Sequence, residues 1–172
     1  MAGKTLLYPT VLFDWGDTVM RDYPERTTPM VEWETVEVID GIAEVLAYLH
    51  SSGRRLVLAT SAAISDENQI RGALARGGLD GYFSHIYCFQ NTNLPKGETF
   101  YRYILSDLSI PARDALMVGD GLEKDILAAN GVGIFAVWFN PRSKEIHKSD
   151  VQATVHSMGE LSEFFKSLDG NN

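Results

Sequence analysis

The sequence predicts an α/β fold, a doubly wound parallel sheet in three layers, within a single domain. Three observations predict it. Apolar runs rich in β-branched residues alternate with segments of helical period, the pattern of βα units whose sheet is covered on both faces. Glycines close the helical segments, as Gly53 does after GIAEVLAYLHSS and Gly77-Gly78 do after ENQIRGALAR. The chain has 172 residues, 45% hydrophobic and 10% aromatic, which suits one core of ordinary composition.

Strands are expected near residues 9–14, 55–60, 85–89, 114–119 and 133–138, with a short sixth in QATVHS. Helices are expected over 40–52, 65–76, 97–108, 121–130 and 158–168, with Asp40 and Ser65 as N-caps of the first two. Segment 19–39 is charged, holds two prolines and keeps no sustained period, so it reads as a loop or small hairpin. It leaves the same strand end that carries Asp14 and is expected to overhang that end. The tail from Asp169 to Asn172 reads as disordered, and residues 1–172 otherwise form the one domain.

Fifteen Lys and Arg against 23 Asp and Glu give a net charge of -8, which repels polyanions and excludes nucleic acid as the expected partner. The single cysteine, Cys88, rules out an internal disulfide and a thiolate zinc cluster, and is expected as a buried strand residue in a reducing cytoplasm. No membrane segment is expected: Pro9 interrupts the first apolar run, no small-residue cleavage site follows it, and VGIFAVWF is far short of a bilayer span. Gly3-Lys4-Thr5 matches the tail of a phosphate-binding P-loop, but it lacks the upstream glycine and precedes a strand, so it is read as accidental.

In an open parallel sheet, ligands bind outside the carboxyl ends of the strands. Asp14, Thr60 and Asp120 all fall at such ends, which brings three strand tips to one crevice. A carboxylate can attack phosphorus only if the repulsion between two anions is relieved. Carboxylates holding a divalent cation do this, with an ammonium and a hydroxyl orienting the phosphoryl oxygens. Taken singly, each residue has a blander role. An aspartate after a strand is usually a cap, Thr60-Ser61 a loop start, and Lys96 after Pro95 a solvated charge. Glu123 reads as an exposed first-turn acid, the four histidines show no ligand spacing, and Trp15 reads as core.

Order and context change that weighting. DWGDT, LVLATSA, NLPKGETF and LMVGDGLEKDI, on alternating elements, resemble the four motifs of the haloacid dehalogenase superfamily from about residue 8 to 140. The resemblance implies a Rossmann-like core and Mg²⁺-dependent phosphatase chemistry. Asp14 is then the nucleophile and a metal ligand, the Gly16 carbonyl a second ligand, Asp120 a third, and Asp125 a support of the metal site. Thr60 and Ser61 bind phosphate, and Lys96 binds both phosphate and Asp14.

One departure stands out. The family's first motif is DxDGT, and its second aspartate is the general acid and base; here Gly16 takes that place. Asp17 is adjacent, but neighbouring residues leaving a strand point to opposite sides, so it replaces the acid only if the turn is reshaped. The expected consequence is that aryl or acyl phosphates are hydrolysed far better than alkyl ones, and that Gly16→Asp improves the latter.

The resemblance also implies a member without a cap domain. A helix and strand take up nearly half of the interval from Asp14 to Thr60, and a helix, a strand and loops take up that from Thr60 to Lys96. An open site admits a phosphoprotein, or a phosphorylated small molecule if a homo-oligomer supplies the lid; the small phosphate ester is preferred. Two rivals come from other classes: a catalytically silent relative that binds and regulates, supported by Gly16, and a phospho-accepting receiver domain.

Overall fold

The computed structural model describes residues 5–170. Six parallel strands form one sheet: β1 (Thr10–Phe13), β2 (Arg55–Ala59), β3 (Phe83–Tyr87), β4 (Ala115–Gly119), β5 (Phe135–Phe139) and β6 (Gln152–Val155). Their order is β3-β2-β1-β4-β5-β6. The chain therefore winds outward from β1 in one direction and, from β4, in the other, which opens a crevice at the carboxyl edge between β1 and β4. This order separates the fold from the receiver type of doubly wound sheet, in which the third strand is central.

The four inner strands, β2, β1, β4 and β5, bury both faces, and alternate residues feed two cores. Val11 and Phe13 pack on one side with Leu58, Val118 and Val137, under Leu46 and Leu49 of α1 (Ile42–Ser51), Ile70 and Leu74 of α2 (Glu67–Arg76), and Leu161 and Phe165 of α6 (Met158–Gly170). Leu12, Val57, Met117 and Ala136 pack on the other, against Phe100, Tyr101 and Ile104 of α4 (Glu98–Asp107) and Ile126 and Ala129 around α5 (Ala128–Gly131). The six strands and the five long helical segments lie close to their expected places.

Several local expectations are corrected. Asp40 does not cap α1: Gly41 holds the N-cap position at φ 80°, where a side chain is disfavoured and where a Cβ would stand 3.0 Å from Met158 Cβ. Ser65 does not cap α2 either. It is buried, and Asp66 closes a capping box with Gln69, each side chain accepting from the other's backbone N–H at 2.9 Å. The expected helix over 121–130 begins as a π-helical turn (Leu122–Leu127) before α5. A short helix α3 (Phe89–Thr92) follows β3, and Cys88, though fully buried, is its N-cap and not a strand residue.

The tail is ordered to Gly170. Asp169 pairs with buried Arg54 at 2.7 Å, and Arg54 also donates to the carbonyls of Leu7 and Tyr8. Asn171 and Asn172, and the Gly3-Lys4 part of the P-loop-like string, lie outside the described residues. No helix among the described residues is long and apolar enough to cross a membrane.

Segment 19–39 runs out and back over the carboxyl edge. Arg21 N–H donates to the Glu37 carbonyl at 2.9 Å, Ile39 N–H to that of Val19 at 3.0 Å, and a 3₁₀ turn (Met30–Glu32) sits at its far end.

Candidate active site

The ladder continues past β1, since Asp14 N–H donates to the Val118 carbonyl at 2.9 Å, and this fixes the Asp14 side chain at the crevice. Lys96 enters from the loop immediately before α4. Its Nζ donates to Asp14 Oδ1 at 2.7 Å and lies 2.5 Å from Asp125 Oδ1, with only 1% of the lysine side chain exposed.

The π-helical turn brings Asp125 back beneath β4. Asp125 N–H bonds to the Gly121 carbonyl at 2.9 Å, and the Asp125 Oδ2 accepts from Gly121 N–H at 2.9 Å. Gly119 makes room for it: a Cβ there would collide with the Asp125 carboxylate. Gly119 is thus needed for the close approach of Asp125.

Asp120 completes the edge. Its Oδ1 accepts from Thr18 Oγ1 at 3.4 Å, its Oδ2 from Arg142 Nη2 at 3.0 Å, and its carbonyl from the Trp138 indole N–H at 3.0 Å. It does not cap the following helix, whose N-cap is Gly121. Thr60 lies at the end of β2, held by its N–H to the Tyr87 carbonyl at 2.9 Å, while its Oγ1 accepts from Ala62 N–H at 3.1 Å and its own proton has no acceptor among the described residues.

Asp14, Gly16, Thr60, Ser61, Asp120 and Asp125 line one cleft of about 430 Å³, within the size range of small-molecule sites. Every residue singled out from the sequence as nucleophile, phosphate binder or metal ligand thus lies at this edge. Glu123 is exposed and stands outside the carboxylate cluster. Trp15 is buried in the core beneath the cleft, with no hydrogen-bond partner for its indole N–H among the described residues.

The electrostatics are unbalanced. Carboxylate oxygens of Asp14, Asp120 and Asp125 lie within 4.8 Å of one another. Burial pushes all three carboxyls up, and mutual repulsion adds to it; Asp125 rises to about 6. Burial opposes the charge on Lys96, but Asp14 and Asp125 outweigh it and hold the ammonium above its usual range. One buried ammonium does not compensate three carboxylates. An all-oxygen cluster with surplus negative charge suits a hard divalent cation, and on donor chemistry these residues fit Mg²⁺.

Three further residues were not singled out by the sequence reading. Arg142, three residues past the end of β5, bridges Asp120 and Asp17 at 3.0 and 3.1 Å; its place after a strand end was the available signal. Arg26 stacks 4.6 Å from both the Tyr23 and Trp33 rings on the cleft wall. Asp22 also lines the cleft, and burial raises its carboxyl above the ordinary range. Both belong to the aperiodic segment, where no motif marks them.

The chain is similar to several known proteins. The glyceraldehyde 3-phosphate phosphatase of Pyrococcus abyssi is 32% identical over 105 residues, covering 59% of this chain and 42% of that protein. The ribulose-1,5-bisphosphate 5-phosphatase of Halopiger xanaduensis is 28% identical over 140 residues, covering 76% of this chain and 57% of that protein. The chain spans from 33% to 57% of the length of the curated relatives it matches. An uncharacterized Listeria monocytogenes protein of known structure shares the fold at a TM-score of 0.80 and 24% identity, covering 94% of this chain and 98% of that one. The model of the haloacid dehalogenase-like hydrolase family matches residues 14–139, from the Asp14 carboxylate to the end of β5, and the chain belongs to that family.

Proposed function

We propose that the chain is a Mg²⁺-dependent phosphatase that hydrolyses a phosphate monoester through an aspartyl-phosphate on Asp14. The observation that carries this reading is the buried Asp14–Lys96–Asp125 contact beside Asp120 at the switch point of the sheet. Asp14, Asp120 and Asp125, with the Gly16 carbonyl, would hold the cation, which when bound supplies the charge neutralisation a phosphate dianion needs to approach a carboxylate. Lys96 orients the Asp14 oxygen and offers its ammonium to the incoming phosphoryl group, while Thr60 and Ser61 donate to the other phosphoryl oxygens. Attack by an Asp14 oxygen forms the aspartyl-phosphate and releases the alcohol, and water then cleaves the acyl phosphate.

A phosphorylated small molecule is the preferred substrate over a phosphoprotein. The cleft has the volume for one, and the relatives named above are phosphatases of a triose phosphate and a pentose bisphosphate. A neighbouring copy of the chain could close the open side. The second reading, a silent binding relative, is favoured by one observation, Gly16 at the position of the family's general acid.

Turnover separates the two. With Mg²⁺, p-nitrophenyl phosphate and a set of sugar phosphates are expected to release phosphate. EDTA should abolish the reaction, and Asp14→Asn should lower it by at least about 10³-fold. Binding of phosphate without turnover of any ester would select the silent reading.

A further inference from the structure

We infer that Asp22 supplies the general acid and base that Gly16 lacks. The assignment rests on the phosphatase reading and goes beyond it by naming the proton donor.

The geometry at Gly16 carries it. A Cβ built on Gly16 would stand 3.1 Å from Asp22 Cβ, 3.4 Å from its Cγ and 3.3 Å from its Oδ2. The space into which a side chain at residue 16 would extend is therefore filled by the Asp22 carboxylate, delivered from a later point in the chain. The family's acid is absent from its usual position, and a carboxyl occupies the adjoining volume in the same cleft as Asp14.

The intervening turn is built to hold it there. Asp17 adopts φ 57°, a conformation uncommon for a residue with a side chain, and its N–H donates to the Met20 carbonyl at 2.7 Å. The chain then doubles back, and Asp22 N–H donates to Asp17 Oδ1 at 3.1 Å. Asp17 Oδ2 is taken by Arg142 at 3.1 Å. Asp17, the neighbour considered first as a replacement acid, is thus occupied at both oxygens in positioning Asp22. Asp22 Oδ1 accepts from Tyr23 N–H at 2.8 Å and fixes the rotamer, and no hydrogen bond among the described residues engages Oδ2, the oxygen nearest the Gly16 side.

The proton inventory closes. As the Asp14 oxygen bonds to phosphorus and the ester P–O bond breaks, the Asp22 carboxyl gives its proton to the departing alkoxide. The resulting carboxylate takes a proton from water as the water oxygen attacks phosphorus and the bond to Asp14 breaks, releasing phosphate and restoring the acid. Alkyl phosphates should then be good substrates of the unmodified protein, contrary to what Gly16 suggests from sequence alone.

Asp22→Asn tests this, because the amide oxygen still accepts from Tyr23 N–H and the turn persists. First-turnover rates would be measured with Mg²⁺ on p-nitrophenyl phosphate and on a primary alkyl phosphate. The alkyl rate is expected to fall by about 10²-fold or more, while the p-nitrophenolate burst stays within a few-fold and later turnovers slow as phospho-enzyme accumulates. A second variant moves the acid back: Gly16→Asp with Asp22→Gly, which removes the close Cβ contact, should recover at least tenfold on alkyl phosphate relative to Asp22→Gly alone. Equal effects of Asp22→Asn on both esters, or none on either, overturn the assignment, as does a folded double variant without recovery. An unmodified protein that hydrolyses neither ester brings down the phosphatase reading and this assignment with it.

Discussion

Asp125 shows how much of the site depends on one close approach. Its carboxylate reaches Lys96 at 2.5 Å and Gly121 N–H at 2.9 Å only because residue 119 carries no side chain. The backbone of β4 is ordinary at this point, so an alanine would leave the strand intact and push Asp125 away from both partners. Such a displacement of a group that fixes a metal site typically costs about 10- to 100-fold in metal affinity. Gly119→Ala is therefore expected to weaken Mg²⁺ binding by that factor while phosphate binding at Thr60 changes far less, and calorimetric titration with each ion checks it. Equal weakening of both would mean that β4 itself had moved.

The element that most shapes the cleft is segment 19–39, and α2 holds it down. Arg76 donates to the carbonyls of Val31, Trp33 and Glu34 at 2.9, 2.6 and 2.9 Å. Val31 and Val38 pack so closely on the helix that a Cβ on Gly72 or Gly77 would stand 2.8 Å from a valine methyl. Arg76→Ala removes three charge-assisted bonds, two of them exposed and one half-buried, for a net loss of about 1.4 kcal/mol, or tenfold in the opening equilibrium. Amides of 30–39 are then expected to exchange about tenfold faster, with those of β1 and β4 unchanged; uniform acceleration would show that the segment does not open on its own. The sheet and its edge were legible in the sequence because strand periodicity and strand-end polar residues are local signals. Asp14, Thr60 and Asp120 could be placed for that reason, and Lys96 and Asp125 through the resemblance of their motifs to those of the family. Asp22 could not, since it reaches the site through tertiary contacts of an aperiodic loop, and Arg142 was marked only by its place after β5. The caps failed on a finer scale: Asp40 and Ser65 lie one residue from the true caps, where Gly41 backbone geometry and the burial of Ser65 decide.

For the molecule as a whole, the acidic cluster is a stability cost that metal should offset. Asp14, Asp120 and Asp125 are all pushed above the ordinary carboxylate range, foremost by burial, so folding favours their protonated forms. A group raised in this way contributes stability that is complete below its unfolded value near 4 and is lost as pH rises through its folded value, about 6 for Asp125. In EDTA the site's contribution should therefore decline between about pH 4 and pH 6 and stay low above that. Mg²⁺ requires the ionised carboxylates, so its stabilisation should appear over the same interval and reach about 2.7 kcal/mol at a hundredfold excess over its dissociation constant. Melting temperatures measured from pH 5 to 8 should consequently separate as pH rises, the Mg²⁺ curve lying several degrees above the EDTA curve at pH 7.5. Asp125→Asn removes one of the ionised carboxylates and can still accept from Gly121 N–H. Without metal it should be at least as stable as the parent at pH 7.5, and Mg²⁺ should stabilise it far less. Parallel curves for the parent in Mg²⁺ and EDTA across this range would show that no divalent cation binds among these carboxylates.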